Sequence, residues 1–145
     1  MSNKKFNTGI ICGSFDVLHP GYTRMFEDAK TVCKTLIVAL QGDPTIDRPK
    51  KCKPVQSLSD RIEILGALKH VDHIVTYNTE AELEKLLGEV QYDVRILGTD
   101  YQNRKDYTGF KYGKPVYFHK RDHDYSTTKL KDLIYRERSR TLENN

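Results

Sequence analysis

Residues 13–22 read GSFDVLHPGY, ten positions that gather side chains able to handle phosphate. Gly13 permits a tight turn, and Gly21 lets the backbone approach a ligand where a helix begins. Ser14, Asp16 and His19 add a hydroxyl, a carboxylate and a ring donor. The N–H groups of the first helical turn and the helix dipole favour an anion beside them. Far along the chain, Ser126, Thr127 and Thr128 open another helix with hydroxyls and N–H groups. Arg61 and Arg121 can grip phosphate oxygens bidentately, and Lys50, Lys51 and Lys53 supply mobile point charges. The chemistry these types share is the binding of phosphate groups.

Each has a plainer reading. A Ser/Thr run at a helix start is commonly a cap, and KKCK a solvated loop. His70, His73, His119 and His123 read as polar surface positions. Only joint placement lifts the set above these readings, and that depends on the elements.

TGIIC (8–12) and TLIVAL (35–40) are short, continuous and β-branched, the pattern of strands buried on both faces. HIVTY (73–77), DVRIL (93–97) and PVYFH (115–119) are further strands. Helical spacing runs through 21–33, with Tyr22, Met25, Phe26, Ala29 and Cys33 on one face, and through 57–70. In 79–88, Thr79 and Glu82 have capping-box spacing and Gly88 is a stop signal. A last helix begins near Ser126, and the polar 135–145 tail is expected to fray. The alternation predicts one α/β domain, a five-stranded parallel sheet with helices on both faces.

In such a sheet, ligands bind beyond the carboxyl ends of the strands. That rule converges Gly13–His19, Gln41–Asp43, Gly98–Asp100 and Lys120–Arg121 on one edge. The irregular segments 41–54 and 100–115 are long, basic and turn-rich, as functional loops are.

The composition excludes several classes. With 145 residues, 30% charged and 37% hydrophobic, the chain can bury one ordinary core and is not disordered. No apolar run is long enough to span a bilayer and no h-region follows MSNKKF, so a cytoplasmic protein without membrane partners is expected. Three cysteines without CxxC spacing argue against a disulfide framework or a cysteine zinc site. No GxGxxG follows a strand, and GFKYGK (109–114) lacks P-loop spacing. The basic loops lack an interleaved aromatic platform, so nucleic acid is not an expected partner.

Four segments carry a resemblance: GSFDVLHPGY (13–22), SDRIEILGALKHVDHIV (59–75), ILGTDY (96–101) and RDHDYSTTKLKDLI (121–134). In order and spacing they resemble the cytidylyltransferase family of small nucleotidyltransferases, nearest the glycerol-3-phosphate cytidylyltransferase type. The resemblance spans about residues 9–134. It implies a Rossmann-like homodimer that transfers CMP from CTP to a small phosphorylated alcohol, with Mg²⁺ on the triphosphate and pyrophosphate released.

Position by position, His19 falls on the first histidine of the family's HxGH motif, a phosphate donor in the transition state. The resemblance assigns catalysis to His19, Lys50 and Arg121. It assigns nucleotide contacts to Gly13, Ser14, Phe15, Asp16, Gly21, Tyr22, Arg61, Gly98 and Asp100, and to Ser126, Thr127 and Thr128 of a closing R-x-x-x-x-STT element. Acceptor contacts fall to Asp16, Lys50, Lys53 and Lys69, the last where many relatives have arginine. Tyr22 stands at the second histidine of HxGH, and Asp124 where glycine is typical.

Two other functions compete. One is an adenylyltransferase of the heptose-phosphate kind, which the STT and GTDY segments also resemble. The other is a nucleotide-binding module that has lost its chemistry at Tyr22. A phenol with a pKa of about 10 cannot carry the positive charge a histidine can. It can donate one hydrogen bond to phosphate, or simply pack with Met25 and Phe26.

Overall fold

The computed structural model describes residues 4–144. The strands are Phe6–Gly13 (β1), Cys33–Gln41 (β2), His73–Tyr77 (β3), Val94–Gly98 (β4) and Val116–His119 (β5). They form one parallel sheet in the order β3-β2-β1-β4-β5. The helices are Pro20–Ala29 (α1), Leu58–Gly66 (α2), Glu80–Glu89 (α3) and Thr127–Glu143 (α4). This is the α/β architecture, a five-stranded parallel sheet with helices on both faces, that the strand and helix periodicities predict, and it is Rossmann-like as the family resemblance implies.

The sheet is covered on both faces, and the alternation of its side chains shows why. Ile11, Leu36, Val38, Leu40, Val94 and Ile96 pack with Phe26 and Ala29 of α1 and Leu65 of α2. Their neighbours Ile10, Ile37 and Ala39 point the other way, onto Leu83 and Leu87 of α3. Two-sided burial is what the continuous apolar runs require. No helix is long and apolar enough to cross a membrane among the described residues.

Four boundaries differ from the sequence expectation. The helix expected over 21–33 ends at Ala29, because Thr31 and Val32 close tight turns onto Asp28 and Ala29, and Cys33 is buried as the first residue of β2. The one expected over 57–70 ends at Gly66, where Ala67 and Leu68 bond three residues back. Gly88 does not stop α3. The helix runs one residue past it, to Glu89, and glycine at 88 makes room for Tyr112, whose hydroxyl would stand 2.5 Å from a Cβ there. Through Glu143 the tail is not frayed either, Asn145 lying outside the described residues: α4 continues along a stretch without Gly or Pro that carries a Glu137–Arg140 ion pair.

Candidate active site

The turn between β1 and α1 is strained. Phe15 and Val17 both adopt positive φ, 46° and 51°, in the left-handed region that disfavours a β-branched residue. Such strain costs about 1–3 kcal/mol per residue and persists only where the surroundings over-determine it. Here they do. Arg61 donates to the carbonyl of Ser14, Gln56 accepts from the Val17 N–H, and the Thr127 hydroxyl donates to the carbonyl of Asp16. The Asp16 carboxylate accepts from the N–H groups of Val55 and Gln56 at 2.8 and 3.0 Å, and pairs with Lys131 at 2.8 Å. Burial pushes the Asp16 carboxyl up, but Lys131 and the two N–H groups outweigh it and hold its pKa low.

The first turn of α1 does not offer free N–H groups to an anion, contrary to the sequence expectation. The Gly21 N–H is held by His19 Nδ1 at 3.1 Å, and those of Tyr22 and Thr23 by the His19 carbonyl. His19 is thus the N-cap of α1 and stands between the helix and the cleft. Because Nδ1 accepts, a neutral ring carries its proton on Nε2. Burial, with the charges of His123 and Arg121, pulls the His19 pKa below its ordinary value. The ring therefore presents a neutral Nε2–H donor at the positive end of the helix.

Tyr22 is not a phosphate donor in this arrangement. Its hydroxyl lies 2.9 Å from Thr127 Oγ1, whose single proton is already given to the Asp16 carbonyl, so the phenol proton points to Thr127. Its ring stacks on His19 with centroids 4.1 Å apart and meets Phe15 edge-on at 5.1 Å. Tyr22 ties α1 to α4 and fixes the imidazole plane. We expect Tyr22→Phe to cost about 1 kcal/mol for the lost bond, read by thermal unfolding, with turnover reduced less than tenfold. A hundredfold fall at unchanged stability would place the phenol on the substrate.

A cleft of about 470 Å³ opens at the carboxyl ends of β1, β4 and β5. It brings together Gly13, Ser14, Phe15, His19, Gly21, Tyr22, Gly98, Asp100 and Arg121. The loop lysine on it is Lys51; Lys50 and Lys53 are exposed and do not line it. Asp16 also lies outside it, its carboxylate holding loop backbone. Arg61 is 2% exposed and donates to four carbonyls, those of Ser14, Gln41, Gly42 and Gln56, so it braces loops and does not face the cleft. Ser126 is a cap, accepting from the Lys129 N–H, and Thr127 is used as described. Lys69 faces a separate recess with Thr23, Phe26 and Glu27.

Two histidines read as surface positions belong to this cleft. His119, at the end of β5, is buried, with Nδ1 2.7 Å from the Asp28 carboxylate. The Nδ1 of His123 accepts from the Tyr125 N–H at 3.1 Å. In both rings Nε2 is buried and without a hydrogen-bond partner among the described residues.

A second cavity of about 360 Å³ adjoins the first, the two sharing Cys12, Gly13, Met25, Gly98 and Tyr101. The 100–115 segment closes it: Thr108 donates to Glu80, and the N–H of Gly109 to Glu84. Gly109 has φ 92°, and a Cβ there would meet Leu87 at 2.6 Å, so only glycine allows this approach. Arg95 donates one Nη to the Thr108 carbonyl, and Arg48 pairs with Glu80 at 3.1 Å. The Nε atoms of both arginines are buried and unpartnered among the described residues. Sequence reading missed this pair; a charged residue inside the strand run DVRIL was the available signal.

A family model described as cytidylyltransferase-like matches residues 10–133. The chain belongs to that family. It is 33% identical over 125 residues, 86% of its length, to the bifunctional protein HldE of Helicobacter pylori strain HPAG1. Against the bifunctional protein HldE of Gluconacetobacter diazotrophicus it is 37% identical over 95 residues, 65% of its length. The chain spans only 27% and 19% of these two relatives. Among solved structures, the lipopolysaccharide core biosynthesis protein from Thermoplasma volcanium GSS1 matches with a TM-score of 0.64 at 25% identity, over 83% of this chain and 99% of that one. The pantoate-beta-alanine ligase of Francisella tularensis, at 15% identity and a TM-score of 0.54, covers 83% of this chain and 61% of its own and shares the fold alone. As a cytidylyltransferase-like nucleotidyltransferase, the chain carries its family's HxGH motif as HPGY.

Proposed function

We propose that this chain transfers a nucleoside monophosphate from a nucleoside triphosphate to a sugar phosphate, releasing pyrophosphate. The observation that carries the reading is the meeting of the two cavities at Gly13 and Gly98. One side presents His19, Lys51 and Arg121 to a polyphosphate. The other presents two unpartnered arginine N–H groups, carboxylates and the Tyr101 and Tyr107 rings, a set suited to a polyhydroxyl acceptor. The acceptor contacts thereby pass from Asp16, Lys50, Lys53 and Lys69 to Arg48 and Arg95. An acceptor phosphate oxygen would attack the α-phosphorus while the bond to pyrophosphate breaks. The protein's part is alignment and stabilisation of the charge on the α-phosphate and the leaving group.

The STT and GTDY segments, which also resemble adenylyltransferases of the heptose-phosphate kind, favour ATP as donor over CTP. Among the described residues no cluster of three His, Cys, Asp or Glu could hold a metal ion, and Asp100 is the one carboxylate on the first cleft. That set fits Mg²⁺ arriving on triphosphate oxygens, which needs one or two carboxylates from the protein. Bound there, the ion would neutralise triphosphate charge. The family resemblance also implies a homodimer; the exposed Leu133, Ile134 and Tyr135 of α4 are apolar surface it would cover.

The test is pyrophosphate release with ATP, CTP, GTP and UTP against sugar and polyol phosphates. We expect the largest kcat/KM with ATP and a sugar 1-phosphate. Preference for CTP with glycerol 3-phosphate would reassign both substrates. Nucleotide binding without turnover on any pair would make the chain a binding module.

A further inference from the structure

We infer that His123 supplies the second imidazole donor of the site, in place of the histidine that Tyr22 replaces in HxGH. The inference rests on the nucleotidyltransferase reading and names a further catalytic residue within it.

The two imidazoles are held alike. Each Nδ1 accepts a backbone N–H from the residue two positions on, Gly21 for His19 and Tyr125 for His123. A neutral ring so held carries its proton on Nε2. Both rings converge on one point. A Cβ built on Gly21 would stand 2.8 Å from His19 Cε1 and 2.7 Å from His123 Cε1. Gly21 is therefore the floor on which the two rings meet, and any side chain there would separate them. Both line the same cleft with Arg121.

His123 Nε2 is buried with no hydrogen-bond partner among the described residues. A buried N–H without a partner is costly, and a ligand oxygen is the group that would remove the cost. The Tyr22 phenol cannot do this work, because its proton is given to Thr127. The chain thus presents two ring donors at the start of α1, one from α1 and one from the loop before α4. On a polyphosphate they would bond separate oxygens, His123 beside Arg121.

The test has two arms. In the first, His123→Ala should lower kcat for pyrophosphate release by about 100–1000-fold, with thermal unfolding checking that the variant folds. Adding Tyr22→His to that variant returns an imidazole to α1 and should recover at least about tenfold of the loss. In the second arm, ¹⁵N NMR of the wild-type imidazoles should show His123 as the Nε2–H tautomer, its Nε2 signal moving on addition of Mg²⁺-pyrophosphate. Turnover of His123→Ala within about threefold of wild type, or an unmoved His123 signal, overturns the inference. No recovery in the double variant overturns the exchange between the two positions. Wild type without turnover on any pair would sink the enzymatic reading alone, since the second arm needs no turnover.

Discussion

His19→Ala is expected to lower kcat by about 100–1000-fold, the range seen when one pre-aimed donor to a developing oxyanion is removed. The reason is the tautomer: Nδ1 is fixed by the Gly21 N–H, so Nε2–H is the ring's only free donor. Alanine also removes the N-cap of α1, which costs about 1 kcal/mol of stability. His19→Asn separates the two effects. Asparagine is a favoured N-cap residue and can keep the Gly21 N–H satisfied, but its amide is shorter than the ring and does not reproduce Nε2. We therefore expect His19→Asn to melt near wild type and to turn over nearly as poorly as His19→Ala. The pH profile gives a further check. Burial lowers the His19 pKa, so in the free protein the ring is neutral at and above its ordinary value of about 6.5. A donor that works as neutral Nε2–H does not weaken as pH rises from 6.5 to 8.5, and His19 should add no decline in kcat/KM there. A tenfold fall per pH unit across that window, abolished in His19→Asn, would mean that the ring works as a cation.

The elements of this fold were legible because the parallel strands are buried on both faces, and such strands read as unbroken apolar runs. Ile10, Ile11, Leu36 and Val38 could hardly be anything else. The edge rule brings Gly13, His19, Gly98, Asp100 and Arg121 to one end of the sheet, where they line one cleft. What the sequence could not give is the partner of each polar group. Arg61 and Asp16 have the residue types that bind phosphate and acceptor, but the same donors and acceptors serve equally to hold backbone. Which use prevails depends on loops folding from forty residues away. Lys51 rather than Lys50 faces the cleft because an irregular loop has no period from which to read direction. Tyr22 was open for the same reason: a phenol can donate to phosphate or to Thr127, and only the position of α4 decides.

Arg61→Ala is the substitution from which we expect the largest loss of stability. The guanidinium donates to Ser14, Gln41 and Gly42 at 2.8, 2.6 and 2.7 Å, and to Gln56 at 3.1 Å. Hydrogen bonds to a charged group contribute about 1.5–3 kcal/mol each, and the carbonyls left behind would be partly buried. These terms are not additive, but a loss of about 4 kcal/mol or more follows, against a domain stability of about 5–15 kcal/mol. The strain at Phe15 and Val17 sharpens the effect, since Arg61 holds the Ser14 carbonyl that begins the strained turn. Arg61→Lys keeps the charge but replaces a planar five-donor fork with three donors on one nitrogen, which cannot reach carbonyls on three separate segments. Lysine should thus recover only part of the stability, seen as a urea midpoint well below wild type, while each molecule that remains folded turns over within about tenfold of normal. A residue that touched phosphate would behave in the opposite way: with lysine the midpoint would stay in place and the KM for nucleotide would rise tenfold or more. That pattern would return Arg61 to the substrate and leave the β1–α1 turn to Asp16, Gln56 and Thr127.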